Sequence, residues 1–315
     1  MKDKKVSPTS IGGQAVIEGV MMKGPENTAI AIRKSDGEII TSREKTKGVD
    51  KRYPLFRLPV FRGMFTLIDT MVLGVRSLTY SAEQAEFEEE DAGQSRFDRF
   101  LERIFGGREK ADQAAIYISV VLSVVLAVLM FIILPTFLIR FLKPNIGSTV
   151  VMNILEGLLR IGIFIVYLLA VSRMKDIQRV FEYHGAEHKT IHCYEHGEEL
   201  TPQNAAVHPR LHPRCGTSFL LVVLVVSIIV FSFMGWPNML VRIVSRILLL
   251  PLVAGISYEI IKWAGRSESV LSRIVRAPGL FLQRLTTREP DLSQLEVAIR
   301  ALKAVVPEDK EADAW

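Results

Sequence analysis

Residues 116–139, IYISVVLSVVLAVLMFIILPTFLI, contain no charged side chain. A run of that length and polarity crosses about 30 Å of hydrocarbon as a helix, which restricts the fold more than any other feature of the chain. Residues 217–236, TSFLLVVLVVSIIVFSFMGW, form a second uncharged run. Two further apolar stretches carry charges: Glu156 and Arg160 in residues 148–171, and Arg242, Arg246 and Glu259 in residues 239–263. Both read as membrane helices whose charged faces turn inward. For Glu156 and Arg160 an i, i+4 ion pair that hides both charges from lipid is favoured over a polar path or a lipid-headgroup site.

The fold class expected is a mainly α membrane protein built on a four-helix transmembrane bundle (116–139, 148–171, 217–236, 239–263). Of the 39 Lys and Arg residues, 19 precede Ile116, 6 lie in residues 172–216 and 9 follow from Lys262 onward, against 2 and 0 in the connections 140–147 and 237–238. The excess of positive charge places both termini and the segment 172–216 in the cytoplasm, with short external turns, in a multi-pass protein of the bacterial inner membrane. No cleavable signal is expected, since Gln14 and Glu18 interrupt the apolar opening. The formal charge of +5 follows from this topology and from attraction to anionic membrane lipids, so it points to no specific nucleic acid.

Residues 1–54 read as a soluble, β-containing segment. TAIAIR and EIITSRE flank KSDG, whose Asp36 and Gly37 supply hairpin chemistry. The preceding GGQAVIEGVMMKGP matches neither a dinucleotide fingerprint nor a phosphate loop and reads as tight turns between short strands. In residues 55–82 an apolar stripe of Phe61, Met64, Phe65, Ile68, Val72, Val75 and Leu78 is broken by Arg62, Asp69 and Arg76, which describes an interfacial helix or one packed under the bundle. Residues 83–115 hold an acidic linker, Glu83 to Gln94, and a juxtamembrane segment. In the tail, 264–315, Asp291 is the expected N-cap of an amphipathic helix with Leu292, Leu295, Ile299 and Leu302 on one face.

All six histidines and both cysteines fall between His184 and Cys215. In YHGAEHKTIHCYEH, His184, His188, His192 and His196 recur every fourth residue. If the second membrane helix continues through this stretch, Gly197 ends it. Residues four apart are one turn apart and rotated about 40°, so adjacent pairs chelate one ion, whereas four in a row drift too far. The tightest set on one face is His188, His192 and Glu195. His208 and His212 each precede proline, which disfavours helix, so they belong to an extended loop that folds back with Cys215. A cytoplasmic location keeps both thiols free as ligands. Imidazole, carboxylate and thiolate together suit zinc best, with iron or another divalent metal as the alternative. HGAEH also fits the inverted zincin pattern, two histidines holding zinc beside a glutamate, here Glu187, that activates water.

Four segments in order, GGQAVIEGVMMKGP, YHGAEHKTIHCYE, LHPRCGTSF and TTREPDLSQLEVAIRALKAV, resemble the bacterial YqhQ-like family of membrane proteins, a domain of unknown function described as predicted metal-dependent enzymes. The resemblance implies that His184, Glu187, His188, Glu195, His212 and Cys215 occupy motif positions, and that the glycine-rich segment joins the functional core, bringing Glu18 to the site. The metal ligands expected are His184, His188, His192, Glu195, His212 and Cys215, with Glu187 catalytic.

The leading functional expectation is a zinc hydrolase acting at the cytoplasmic membrane face on a lipid-like or membrane-associated substrate. The alternative is a non-enzymatic subunit or assembly factor of a membrane complex, a translocase or ribosome partner, with a structural metal. A di-iron oxidoreductase ranks lower, because such sites use about eight histidines with adjacent pairs.

Overall fold

The computed structural model describes residues 7–46, 58–85, 107–235, 237–267, 269–309 and 312–313. The acidic stretch from Glu86 to Gln94 and the last residues of the N-terminal segment, 47–54, lie outside the described residues. The chain forms two compact units: Met1–Ala85, Ile165–Ser227 and Leu250–Trp315 make one, and Glu86–Phe164 and Ile228–Leu249 the other.

The first unit opens with an antiparallel meander, β1 (Gly12–Val16), β2 (Gly19–Lys23), β3 (Asn27–Arg33) and β4 (Ile39–Lys45). The β3–β4 turn uses the expected chemistry: the N–H of Glu38 donates to Oδ1 of Asp36 at 2.8 Å, and Gly37 is left-handed. The glycine-rich stretch is the β1–β2 hairpin, turned at Ile17 and Glu18. Register pairs Val20 with Ala31 and Met22 with Ala29, so these four share one buried face. Two helices pack on it: α5 (Lys175–Glu195) through Tyr183, Ala186 and Ile191, and α10 (Leu292–Lys303) through Leu295, Ile299 and Leu302. Leu295 and Leu302 are both fully buried, each contributing roughly 2 kcal/mol. Asp291 and Gln294 close a reciprocal capping box at the start of α10. Leu292, in the first turn, stays half-exposed.

Helix α1 (Phe61–Gln84) leaves much of its apolar stripe uncovered. Ile68, Met71, Val72 and Val75 are exposed, while the small residues Gly63, Gly74, Ser77 and Ser81 are buried. Arg62 forms a two-pronged ion pair with Glu259, its Nε lying 2.6 Å from Oε1.

Among the described residues three helices are long and apolar enough to cross a membrane: Tyr117–Leu142, Thr149–Val171 (α4) and Met239–Arg266 (α8). The first comprises α2 (Arg108–Val128), a π turn at Leu129–Ile133 and α3 (Leu134–Ile139). The π turn precedes Pro135, which cannot donate a helical hydrogen bond. The fourth run forms α7 (Gly216–Ser232), a shorter apolar helix of 17 residues, about 25 Å at 1.5 Å per residue. It stops ahead of Gly235 and Pro237. The chain is thus mostly helical and membrane-associated through apolar helices, with a small N-terminal antiparallel sheet.

The charges in these helices do turn inward. In the second unit Glu156 is fully buried, and Arg160, Arg242 and Arg246 are nearly so. The Glu156–Arg160 pair exists at 3.4 Å, but it is one edge of a larger cluster. Arg246 donates to Glu156 Oε2 at 2.8 Å and to Thr136 Oγ1 at 2.7 Å, Thr136 donates to Glu156 Oε1, and Arg242 also binds Glu156.

The helix of α4 does not continue into the histidine segment. It ends at Val171, and Met174 is extended at ψ 132, so α5 starts afresh at Lys175. Gly197 terminates α5 as expected, in the left-handed region.

Candidate metal centre

The histidines of α5 lie on the side that faces the loop 207–215, and the loop reaches the helix at two successive turns. It carries α6 (Pro202–Ala206) ahead of it and has no helix around His208 or His212, as the following prolines require. The six expected ligands therefore divide into two groups of three: His184, His188 and Cys215, and His192, Glu195 and His212. Within each group, one ligand atom from every residue lies within 4.8 Å of the others. The helical set His188, His192 and Glu195 is split between them, because Cys215 meets one turn of the helix and His212 the next.

The first group has the chemistry of a metal site. Nδ1 of His184 is 2.8 Å from the Thr286 carbonyl, and Nδ1 of His188 is 2.6 Å from that of Arg210. A carbonyl only accepts, so each Nδ1 carries the proton and each neutral ring presents a lone pair at Nε2. His184 Nε2 lies 3.2 Å from Cys215 Sγ, close to the ~3.5 Å separation of nitrogen and sulfur on a tetrahedral zinc. His188 Nε2 is buried and has no hydrogen-bond partner among the described residues, an arrangement that costs stability unless something binds there.

The electrostatics favour thiolate. Burial alone pushes the Cys215 thiol up, but the imidazoles of His184 and His188 outweigh it and hold the thiol well below its usual range. Its position just before α7 and the Thr217 N–H, 3.4 Å from Sγ, act in the same direction. Burial opposes protonation of His184, yet the neighbouring sulfur raises it to about 9. Without a cation the two form an imidazolium–thiolate pair, its soft anionic sulfur held beside His188.

Glu187 stands beside this group without belonging to it. Its Oε2 is 3.9 Å from His184 Nε2 and 3.7 Å from His188 Nε2. Its Oε1 accepts from the backbone N–H of Gly13 at 3.0 Å. A Cβ on Gly13 would lie 2.8 Å from Cγ of Glu187 and 2.7 Å from the Met21 carbonyl, so only glycine fits. The glycine-rich strand does join the site, through Gly13. Glu18 instead binds Arg179 and accepts from the Tyr183 hydroxyl.

The second group is already occupied by protein. Glu195 accepts from the Thr9 N–H at 2.8 Å and binds Arg214. His192 Nε2 donates to the Leu211 carbonyl at 3.0 Å. Burial and the adjacent His212 lower His192 to about 4. Three residues that sequence reasoning passed over lock the loop. The Gln283 amide, in α9 (Val270–Thr286), accepts from His212 N–H and donates to its carbonyl, both at 2.8 Å. Thr286 orients His184, and the Thr287 carbonyl accepts from Arg210. The chain can cross α5 here because Gly185 has no side chain: a Cβ would lie 2.0 Å from the Arg288 carbonyl. A third group, Cys193, Glu198 and His208, also went unforeseen. His208 bonds Glu198 at 3.0 Å, and burial pushes the Cys193 thiol up to about 11. His196 bonds the carbonyl of His192, one turn back, and its ring centre lies 4.8 Å from that of His208.

Glu187, His188, His212 and Cys215 line one wall of a cavity of about 740 Å³. Its other walls come from residues 9–14 and from the inner face of α1. A cation bound by His184, His188 and Cys215 would therefore have a coordination position facing an open space and flanked by a carboxylate.

No solved structure matches the chain. It is 32% identical over 311 residues to the "Uncharacterized protein YqhQ" of Bacillus subtilis (strain 168), covering 97% of this chain and 95% of that protein. A family described as "Protein of unknown function (DUF1385)" matches residues 58–308. By the extent of both matches, the chain belongs to the DUF1385 family.

Proposed function

We propose that this protein is a metal-dependent hydrolase of the cytoplasmic membrane face, with zinc held by His184, His188 and Cys215. The observation that carries the reading is the convergence of two tautomerically fixed Nε2 atoms on Cys215 Sγ, one of them buried with no partner among the described residues. A zinc ion there would polarise a substrate carbonyl or phosphoryl group and make water nucleophilic near neutral pH. Glu187, 3.7 Å from His188 Nε2, takes the proton from the attacking water and passes it to the leaving group. Gly13 fixes that carboxylate by one hydrogen bond, leaving Oε2 for the reaction. The His192, Glu195 and His212 group holds the loop rather than the ion, since Arg214 already neutralises Glu195. We further read α7 as a fourth membrane crossing, which puts both termini and α5 in the cytoplasm.

A second reading has its own support. An ion at His184, His188 and Cys215 would also tie the loop 207–215 to α5, the role of a structural metal in a subunit of a membrane complex. Glu187→Gln separates the two. In a hydrolase it keeps the zinc and lowers turnover about 10²- to 10⁴-fold. Full complementation by Glu187→Gln in a deletion strain would retire the enzyme reading.

A further inference from the structure

The cavity beside the metal ligands has a composition that the hydrolase reading alone does not explain. Four cations line it, Lys23, Arg62, Arg214 and Lys262. Arg62 is engaged by Glu259 and Arg214 by Glu195. Lys23 and Lys262 form no salt bridge among the described residues, although both face the cavity, and Asp69 is its one carboxylate besides Glu187. A zinc ion at His184, His188 and Cys215 would add further positive charge beside the cavity. Lys262 lies one turn from the end of α8, a helix of membrane length, and its ammonium is 5.9 Å from the ring centre of Tyr258, which also lines the cavity.

Helix α1 divides the cavity from the outside. Phe65, Thr66, Asp69 and Thr70 line the cavity, whereas Ile68, Met71, Val72 and Val75 are exposed on the opposite side. That exposed stripe is the kind of surface that lies in the headgroup region of a bilayer. Arg62 and Gly63 fasten this helix to the end of α8, Gly63 so closely that a Cβ would lie 2.6 Å from Cβ of Tyr258. A polar, cationic cavity thus lies behind an apolar rim at the end of a membrane-length helix.

We infer that the cavity takes the phosphate-bearing head group of a membrane lipid, with Lys23 and Lys262 as its anion contacts and its apolar chains along the outer face of α1. The inference rests on the hydrolase reading for what happens to that lipid, but not for its binding. Thr66 and Thr70, one turn apart on α1, supply hydroxyl donors to the same head group.

The test uses full-length Glu187→Gln protein, purified with zinc in neutral detergent, so that bound lipid is not consumed. Titration with dihexanoyl phosphatidate is expected to saturate one site, and Lys23→Gln and Lys262→Gln each to weaken it about fivefold. Dihexanoylglycerol, which lacks the phosphate, is expected not to compete. Competition by inorganic phosphate at the same concentration would show that a free anion is the ligand and overturn the lipid assignment. Equal affinity of the lysine variants and the parent would overturn it as well. Wild-type protein that binds phosphatidate and hydrolyses no lipid would remove the hydrolase reading alone. Wild-type protein that cleaves peptides while ignoring phosphatidate would remove this inference alone.

Discussion

The N–H of Gly13 and Oε1 of Glu187 meet at 3.0 Å across 174 residues of sequence, and no side chain larger than hydrogen fits between the strand and the carboxylate. The N-terminal sheet is therefore part of the site's geometry. Gly13→Ala must displace either Glu187 or the strand pairing at Met21. The expected result is a loss of activity approaching that of Glu187→Gln, with zinc content intact, measured as kcat beside elemental analysis. Loss of zinc in Gly13→Ala would mean that the strand holds the ligands and not the base.

Metal content separates the two histidine groups. Wild-type protein is expected to carry about one zinc per chain, and His188→Ala and Cys215→Ala to lose it. His192→Ala should retain it, since its Nε2 donates to Leu211. His212→Ala should weaken binding about 10- to 100-fold by freeing the loop. Equal zinc in wild type and in the His188→Ala, Cys215→Ala double variant would eliminate the centre.

Zinc competes with one proton on the imidazolium of His184. That group is raised to about 9 in the metal-free protein, so between pH 7 and 9 binding releases the one proton held by its imidazolium–thiolate pair with Cys215. Affinity should rise about tenfold per pH unit over this window and level off above it. Calorimetry in buffers of different ionisation enthalpy measures the released proton directly. A pH-independent affinity would show that this proton is already lost at pH 7, leaving neutral imidazole beside thiolate.

The two thiols should behave oppositely. Both are buried, but Cys215 is held as thiolate and lines the cavity, whereas burial pushes the Cys193 thiol up to about 11. Iodoacetamide at pH 7 should modify Cys215 in metal-free protein and neither residue after zinc is added, as read by peptide mass spectrometry. Preferential modification of Cys193 would contradict the charge pattern described for the site.

Orientation is checked with Gly147→Cys and Glu199→Cys, both at exposed positions. A membrane-impermeant maleimide should label the first in intact cells and the second only after permeabilisation. The reverse pattern would place the histidine helix outside and end the cytoplasmic reading.

Much of this structure is legible in the sequence because its signals are local. The turn at Asp36–Gly37, the cap at Asp291 and the stop at Gly197 each follow from one residue's backbone or hydrogen-bonding preference, and each is present. The concentration of histidine and cysteine likewise points to the segment in which the groups of possible ligands come together. What periodicity does not reveal is which turn of α5 each loop residue meets. That depends on the Gln283 amide, 71 residues away from His212, and on carbonyls that carry no sequence signature. For the same reason Gly13 was visible only as a turn former, since its role comes from a helix folded against it much later in the chain.

The cluster around Glu156 also bears on how the protein is made. Arg242 and Arg246 sit within one membrane-length helix and their carboxylate within another. An arginine at the centre of an inserting helix costs about 2.5–3.5 kcal/mol and less toward its ends, so Arg242 and Arg246, in the first third of Met239–Arg266, still weaken that helix's insertion by itself. Glu156 is synthesised 86 and 90 residues before the two arginines and, once Thr149–Val171 is in place, offers the partner those guanidiniums need. If both helices cross a membrane, the shared cluster would favour a set order: the earlier helix would wait at the insertion site until the later one arrives, and the two would pass into lipid together. Glu156→Ala should fail at that step, degraded as an uninserted chain even though the metal ligands of the finished protein are untouched.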